Sequence, residues 1–277
     1  MDKLQFSVSI CVYGKNNPQY FRTAMESILH GTRVPDEVVL VVDGPVPPEL
    51  GSVIAEYEAM PHIRVLRLEK NCGHGVARRT GLDACRYPLV ALMDADDISL
   101  PDRFERQLAC FAADPSLSAV GGYITEFIGD PENTVSLRVV PTDDAGVKNY
   151  LKNRCPMNQV TVMLRRADVI EAGGYLDFYC EEDYYLWARM TLRGMRFMNL
   201  PIVLVNVRGG ADMYRRRGGI RYFRSEKEMQ KFLLRNHLIG YPTYAYNVLR
   251  RLIVEVLLPN RVRGFVFRKF ARRPASD

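Results

Sequence analysis

Residues 6–42, FSVSICVYGKNNPQYFRTAMESILHGTRVPDEVVLVV, contain the pattern from which the fold class follows. Residues 6–13 and 37–42 are short apolar runs rich in Val and Ile, and each ends at a turn signal, as buried parallel strands do. Between them, residues 18–30 carry apolar side chains at helical spacing and end at Gly31. This order of strand, helix and strand predicts a parallel sheet with helices on both faces.

The alternation of strands and helices continues along the chain, and its second half is less regular. The predicted helices cover residues 50–60, 76–84, 166–172 and 183–193, and the predicted strands cover residues 63–68, 89–93 and 160–164. The fold class is therefore α/β, with a mostly parallel sheet. We expect one catalytic domain over residues 1–240 and a separate tail over residues 241–277.

The composition fits a folded protein without a metal or disulfide scaffold. Of the 277 residues, 47% are hydrophobic and 25% are charged, which is enough to bury a large core. The six cysteines form no CxxC pair, so we expect buried free thiols rather than a zinc site or disulfides. No signal peptide pattern opens the sequence, and we expect a cytoplasmic protein.

The positive charge is concentrated in the last part of the chain. From Pro201 onward there are 17 Lys and Arg against 5 Asp and Glu, whereas the preceding residues are net acidic. Within the tail, an apolar stripe at helical spacing from Val248 to Leu257 is followed by a basic segment with its own apolar face. The apolar stretch is shorter than the roughly 20 residues that cross a bilayer. We expect the tail to lie on an anionic membrane surface, although it could instead dock on the catalytic domain.

Three carboxylates follow the predicted strand at residues 89–93. Residues 93–103 read MDADDISLPDR, which places Asp94, Asp96 and Asp97 at the carboxyl edge of the sheet, where such folds bind ligands. Crowded carboxylates repel one another unless a cation neutralises them, and their hard oxygen atoms suit Mn²⁺ or Mg²⁺. A helix cap or a solvated acidic turn is the alternative interpretation. The pattern favours a divalent metal site.

Two further polar segments reach the same edge. Tyr13 follows the first strand and the Asp43-Gly44 pair follows the second, although Asp-Gly is also a common turn. Residues 70–81, KNCGHGVARRTG, form a glycine-containing loop that leads into a helix bearing Arg78. Backbone N–H groups at a helix start and guanidinium groups attract phosphate. The loop matches neither the dinucleotide fingerprint nor the P-loop.

A third acidic segment, CEEDYYLW at residues 180–187, begins a predicted helix. Acidic residues at a helix start complement its dipole, which is the simplest interpretation. The functional interpretation is a general base, because a hydroxyl becomes a good nucleophile only when a positioned carboxylate removes its proton. In a glycosyl transfer, a single base on the face opposite the leaving group would give inversion.

Taken in order, these motifs resemble those of family-2 glycosyltransferases, which have the GT-A fold, over residues 6–225. The stretches AMESILHGTRVPDEVVLVVDGP, MDADDISLPDRFERQ and GGYLDFYCEEDYYLWARM are similar to bacterial transferases of the amylovoran-biosynthesis and O-antigen type. The resemblance implies an inverting, metal-dependent enzyme. Its donor would be a UDP-hexose, with galactose favoured over glucose. Its acceptor would be a saccharide on undecaprenyl diphosphate at the inner face of the cytoplasmic membrane, joined through a β1,3 linkage.

The same resemblance implies roles for individual residues. Asp183 corresponds to the catalytic base, and Asp94 and Asp96 correspond to the metal-binding DxD motif. Residues implied in donor binding are Tyr13, Asp43, Asn71, Arg78, Asp94 and Asp96. Further candidates are Asp97, which would share the metal, Glu182, Gln159 on the acceptor side, and Arg208, which with residues 215–217 would close over the diphosphate.

Two other functions stay open from the sequence. A sugar-1-phosphate nucleotidyltransferase shares a similar sheet and metal, but it carries a Gly-rich, Arg-containing loop after its first strand, where this chain has YGKNNPQY. A nucleic-acid-binding protein acting through the basic tail would show aromatic platforms or a reading helix in that region. Neither feature stands out, so we expect no nucleic-acid partner.

Overall fold

The computed structural model describes residues 4–209 and 218–258. Its first half alternates strands and helices, which confirms the order expected from the sequence. The elements are β1 (Phe6–Tyr13), α1 (Pro18–Leu29), β2 (Glu37–Asp43), α2 (Pro48–Glu58), β3 (Ile63–Leu68), α3 (His74–Ala84) and β4 (Leu89–Asp94).

The second half contains long strands as well as helices. Its elements are β5 (Ile98–Ser99), α4 (Arg103–Ala113), β6 (Leu117–Phe127), β7 (Thr134–Arg138), α5 (Asp144–Leu151), a 3₁₀ turn (Gln159–Thr161), β8 (Met163–Arg165), α6 (Arg166–Glu171), α7 (Glu182–Leu192), β9 (Arg196–Arg208), α8 (Ile220–Arg235), α9 (Tyr241–Arg251) and a π-helical turn (Leu252–Leu257). The strand expected over residues 160–164 is partly wrong, because the 3₁₀ turn occupies its start.

The described strands form one mixed sheet in the order β3-β2-β1-β4-β8-β6-β9-β5, with β7 beside β6. The long pairings of β1 with β2 and β4, of β2 with β3 and of β6 with β9 are parallel. The shorter pairings that involve β5, β7 and β8 are antiparallel. The parallel half therefore follows the expectation, and the antiparallel strands add to it.

The core lies on both faces of the sheet. Successive side chains of a strand point to opposite faces, so Val38 and Leu40 of β2 pack with the helices α1, α2 and α4. Val39 and Val41 pack on the other face with α3, α5, α6 and α7. Every residue of β2 is buried, which explains its uninterrupted apolar sequence.

Strands β5, β6, β7 and β9 were not predicted, and for β6 two glycines explain why. Gly121 and Gly122 interrupt the apolar pattern of β6, and glycine is a poor strand former. A Cβ atom at Gly121 would lie 2.4 Å from Asn199 Oδ1, and one at Gly122 would lie 2.6 Å from Leu204 Cδ1. The close approach of β9 therefore requires the residues that weaken the strand pattern of β6.

The described start of the tail packs on α8 through polar side chains. Asn247, Arg251 and Glu255 are buried at intervals of four residues. The apolar side chains Leu249 and Ile253 are 57% and 43% exposed. The tail is helical here, as expected, but it docks by its polar face. Residues 259–277, with most of the basic segment, lie outside the described residues.

Two remaining expectations are resolved in part. All six cysteines are free, as expected; Cys85 is buried, Cys11, Cys110 and Cys155 are partly buried, and Cys72 and Cys180 are exposed. The expectation of burial is therefore wrong for Cys72 and Cys180. Within residues 4–209 and 218–258, none of the helices combines the length and apolarity that crossing a bilayer requires.

Candidate active site

The strand ends at the carboxyl edge bring the predicted donor residues together. Tyr13 and Asp43 are register partners at the ends of β1 and β2. Asp94, the last residue of β4, pairs with Cys11, two residues before Tyr13 on the same strand. The expected convergence of these three residues at one edge is confirmed.

Asp43 holds the loop that follows β3. Its carboxylate accepts hydrogen bonds from the backbone N–H groups of Cys72 (2.7 Å) and Gly73 (3.0 Å), and its carbonyl accepts one from Asn71 Nδ2 (3.2 Å). The next residue, Gly44, has a φ angle of +86°, and a Cβ atom there would lie 2.5 Å from Asn71 N. The Asp-Gly pair therefore fixes the loop against the strand end.

The loop after β3 leads into α3, whose first turn lies at the site. Gly73 precedes the helix without a side-chain cap, so backbone N–H groups of the first turn remain available to a ligand. The ring of His74, the first residue of α3, lies 6.5 Å from the ring of Tyr13 in an edge contact. Its Nδ1 atom is 4.0 Å from Glu182 Oε1. His74 was not among the predicted site residues, although it stands in the glycine-containing loop.

Arg78 joins Asp94 at the carboxyl edge of the sheet to the start of α7. Its Nη1 atom lies 2.6 Å from Glu182 Oε1, and its Nη2 atom lies 3.1 Å from Asp94 Oδ1. Burial lowers the pKa of the guanidinium, but the charges of Asp94 and Glu182 more than offset this effect and raise the pKa overall. The arginine therefore stays charged and binds two carboxylates at once.

The three aspartates after β4 have different surroundings. The Asp94 side chain is 41% exposed, and that of Asp96 is half-buried. Asp97 is buried, and its Oδ1 atom accepts the backbone N–H of Arg208 at 2.8 Å. Burial, and then repulsion from Asp96 and Asp94, raises the pKa of Asp97 well above its usual range. The buried side chain of Asp97 therefore stabilises the turn through its hydrogen bond with the Arg208 backbone.

Arg208 supports this turn from the end of β9. Its Nε atom donates to the carbonyl of Asp96 at 3.2 Å, and its Nη1 atom donates to the carbonyl of Gly129 at 3.2 Å. The guanidinium also lies over the rings of Tyr20 and Phe127, 3.7 and 4.6 Å from their centroids. Arg208 therefore contacts the back of the acidic turn, whereas residues 215–217 of the expected lid lie outside the described residues.

Asp94 and Asp96 fit a divalent cation that is shared with a substrate. Within residues 4–209 and 218–258, no group of three or more His, Cys, Asp or Glu side chains is arranged to hold a metal by itself. Mg²⁺ in nucleotide-processing sites is commonly held by one or two carboxylates together with substrate phosphates. Two accessible carboxylates beside a helix start match that arrangement.

Asp183 lies in the first turn of α7, next to Glu182. Its Oδ1 atom accepts the backbone N–H of Tyr184 at 2.7 Å, and its Oδ2 atom accepts the thiol of Cys155 at 3.5 Å. Burial raises the pKa of Cys155 well above its usual range, and the charge of Asp183 adds to the shift. Cys155 therefore remains a protonated donor that orients the carboxylate, a contact that the sequence did not reveal.

Gln159, in the 3₁₀ turn, has an unused acceptor atom. Its Nε2 atom donates to the hydroxyl of Tyr175 at 2.6 Å. Its Oε1 atom is buried and has no hydrogen-bond partner among the described residues. A buried acceptor without a donor is costly, and a sugar hydroxyl would satisfy it.

The matched family identifies the chemistry of the site. The model of Glycosyl transferase family 2 matches residues 7–174, which is more than half of the chain. The chain belongs to glycosyltransferase family 2. The matched region contains every predicted donor-binding residue, whereas Asp183 follows it by nine positions.

Similar proteins span nearly the whole length of this glycosyltransferase. A UDP-Gal:alpha-D-GlcNAc-diphosphoundecaprenol beta-1,3-galactosyltransferase of Escherichia coli is 35% identical, over 98% of this chain and 98% of its own. The amylovoran biosynthesis glycosyltransferase AmsE of Erwinia amylovora is 34% identical, over 95% of this chain and 98% of its own. An uncharacterised glycosyltransferase of Haemophilus influenzae is 38% identical, over 95% and 99%.

Solved structures show the same fold at lower identity. S. aureus TarS 1-349 in complex with UDP-GlcNAc has a TM-score of 0.65 at 17% identity and covers 96% of this chain and 76% of its own. The Pyrobaculum calidifontis mannosyltransferase PcManGT in complex with GDP-Man and Mn²⁺ has a TM-score of 0.62 at 16% identity, over 94% and 71%. This family-2 glycosyltransferase therefore has the GT-A fold.

Proposed function

We propose that this enzyme transfers a hexose from a UDP-sugar to a saccharide carried on a lipid diphosphate, with inversion of the anomeric carbon. Galactose is the favoured hexose and glucose the next. A β1,3 linkage to an undecaprenyl-diphosphate acceptor in bacterial surface polysaccharide synthesis is supported by the E. coli and E. amylovora relatives. The supporting observation in the structure is the bridge of Arg78 between Asp94, which we propose binds the metal, and Glu182, the neighbour of the proposed base Asp183.

The donor half of the site lies along the strand ends. Tyr13 and Asp43 flank the position proposed for the uracil, and Asn71 lies at the loop beside them. The first turn of α3 would face the diphosphate. Asp94 and Asp96 would hold Mn²⁺ or Mg²⁺, which supplies positive charge to the departing nucleoside diphosphate. Arg78 acts on the donor through Asp94, because its guanidinium is already occupied by two carboxylates.

The acceptor half of the site centres on Asp183. Its carboxylate takes the proton of the acceptor hydroxyl while that oxygen bonds to the anomeric carbon and the bond to the diphosphate breaks. Cys155 holds one carboxylate oxygen, and the free Oε1 atom of Gln159 accepts a hydrogen bond from an acceptor hydroxyl. Glu182 is the ion-pair partner of Arg78 rather than a second base.

The tail supports a peripheral position at the inner face of the cytoplasmic membrane. Tyr246, Leu249 and Leu257 are 63%, 57% and 66% exposed on the described tail helix. The sequence that follows is basic, with six Lys and Arg and one Asp after residue 258. Exposed apolar side chains next to basic ones are typical of segments that bind anionic lipid surfaces.

A donor and acceptor screen tests the proposal. Purified protein would be incubated with Mn²⁺, a set of UDP-hexoses and an acceptor analogue with GlcNAc or GalNAc on an alkyl diphosphate, and UDP release and product anomeric configuration would be measured. Asp183→Asn should lower kcat by about 100-fold or more, the scale of a lost general base. Glu171→Gln, which removes an exposed carboxylate on α6, is the control. Full transfer by Asp183→Asn would refute the assigned base.

A further inference from the structure

Three arginines gather where the start of the tail meets the loop after α5. Arg250 Nη2 and Arg251 Nη2 both donate to the carbonyl of Asn153, at 3.3 and 2.9 Å. The guanidinium of Arg154, the next residue of the loop, lies 5.5 Å from the ring centroid of Tyr150. Burial, and then repulsion from Arg251 and Arg154, lowers the pKa of Arg250. The guanidinium groups are therefore close enough to repel one another.

The neighbouring carboxylates compensate the charge of Arg251, through Glu226 and then Glu255, but none of those described pairs with Arg154 or Arg250. Arg251 forms a buried ion pair with Glu226 on α8. Within the described ranges, no carboxylate lies within ion-pair distance of Arg154 or Arg250. Arg251 is only 5% exposed, yet its Nη1 atom has no hydrogen-bond partner among the described residues. An anion at this position would satisfy that donor and reduce the repulsion.

The arginine cluster lies close to the catalytic base. Arg154 precedes Cys155, so their Cα atoms are about 3.8 Å apart. The Cys155 thiol is in turn 3.5 Å from Asp183 Oδ2. The loop that carries Arg154 therefore passes beside the proposed base. Helix α9, which carries Arg250 and Arg251, has the exposed apolar residue Leu249, and the π-helical turn that follows it has the exposed Ile253.

We infer that Arg154, Arg250 and Arg251 bind the diphosphate that joins the acceptor sugar to its lipid, and that the lipid chain leaves along the exposed apolar side of α9. This inference rests on the proposed function, because it locates one part of the acceptor of that reaction. The chemistry is the recognition of phosphate oxygens by guanidinium groups. Glu226 keeps Arg251 in place without neutralising the other two arginines.

Two acceptors with the same sugar test the site, one with an alkyl diphosphate and one a neutral alkyl glycoside. Arg154→Gln and Arg250→Gln should each raise KM for the diphosphate acceptor about tenfold, which corresponds to about 1.4 kcal/mol. The values of kcat, of KM for the donor and of KM for the neutral glycoside should stay near those of the wild type. Arg193→Gln removes an exposed arginine at the end of α7 and serves as the matched control.

The outcomes separate this inference from the proposed function. A wild-type protein that transfers to neither acceptor would overturn the function and the inference with it. If the wild type uses both acceptors, and the variants show the same ratio of KM for the diphosphate acceptor to KM for the neutral glycoside as the wild type, the arginines do not bind the diphosphate. That result would overturn the inference and leave the proposed function standing. Binding to vesicles of phosphatidylglycerol and phosphatidylethanolamine shows whether the arginines bind the phosphates of lipid headgroups or the diphosphate of the acceptor. A loss of vesicle binding by the variants at an unchanged KM ratio would assign the arginines to lipid headgroups instead of the acceptor.

Discussion

Replacement of Arg78 by Met should destabilise the enzyme by leaving a buried carboxylate without its partner. The side chains of Arg78 and Glu182 are 13% and 10% exposed, so their pair belongs among buried ion pairs. Removal of one partner from such a pair costs about 3–5 kcal/mol. The contact with Asp94, which is 41% exposed, adds little. We therefore expect a loss of about 3 kcal/mol, which lowers Tm by roughly 6–12 °C in a domain of this size.

The effect should depend on pH in a defined direction. Burial raises the pKa of Glu182, and Arg78 opposes that shift. Without Arg78, the pKa of Glu182 in the folded protein rises further above its value in the unfolded chain. The folded protein therefore binds the Glu182 proton more tightly than the unfolded chain does. Stability is then lost as pH rises through the window between those two pKa values. The destabilisation of Arg78→Met should be larger at pH 8 than at pH 5.

Thermal melts of a small set of variants measure this. Arg79→Met is the matched control, because Arg79 is 53% exposed and only forms a surface pair with Asp83 at 3.6 Å. Adding Glu182→Gln to Arg78→Met should recover most of the lost stability, since no buried charge is left without a partner. It should not recover activity, because Asp94 still lacks its contact. If Arg78→Met and Arg79→Met melt alike at pH 8, the reasoning is wrong.

Three other predictions concern the metal, the loop and the tail. Asp96→Asn should lower transfer about 100-fold or more, and titration with Mn²⁺ should show weaker activation; an unchanged Mn²⁺ dependence would contradict the assignment. Gly44→Ala should lower Tm, because of its positive φ angle and the close Asn71 backbone; a wild-type melt would refute this. Tyr246→Ser with Leu249→Ser should reduce binding to anionic vesicles, and Leu192→Ser, also exposed, should not; equal binding by both variants would remove the tail from the membrane contact.

The sequence predicted the parallel half of the fold and the ligand edge because their signals are local. An apolar strand followed directly by Asp94 or Asp43 places a carboxylate at a sheet edge in any fold of this class. The pairing of β6 with β9 could not be predicted in this way. Gly121 and Gly122 appear unsuited to a strand until the side chains of Asn199 and Leu204 are present.

The contacts inside the site were also beyond the reach of the sequence. Arg78 and Glu182 are 104 positions apart in the chain, and no periodicity links them. The motif order led to a proposal for which residues take part, but it did not show that Asp97 and Arg208 hydrogen-bond within the acidic turn. In the tail, helical spacing predicted an apolar stripe. It did not show that the polar residue Arg251, rather than the apolar stripe, would pack against α8. That contact depends on Glu226, which lies on α8.

We propose that Asp94 and Asp96 hold a divalent cation against the diphosphate of a UDP-sugar. Anomalous scattering from crystals grown with UDP and Mn²⁺ tests this assignment. We expect one manganese peak at the Asp96 carboxylate and the diphosphate, with Asp94 beside it and the uracil near Tyr13. Manganese or UDP bound elsewhere, with this edge of the sheet unoccupied, would contradict it.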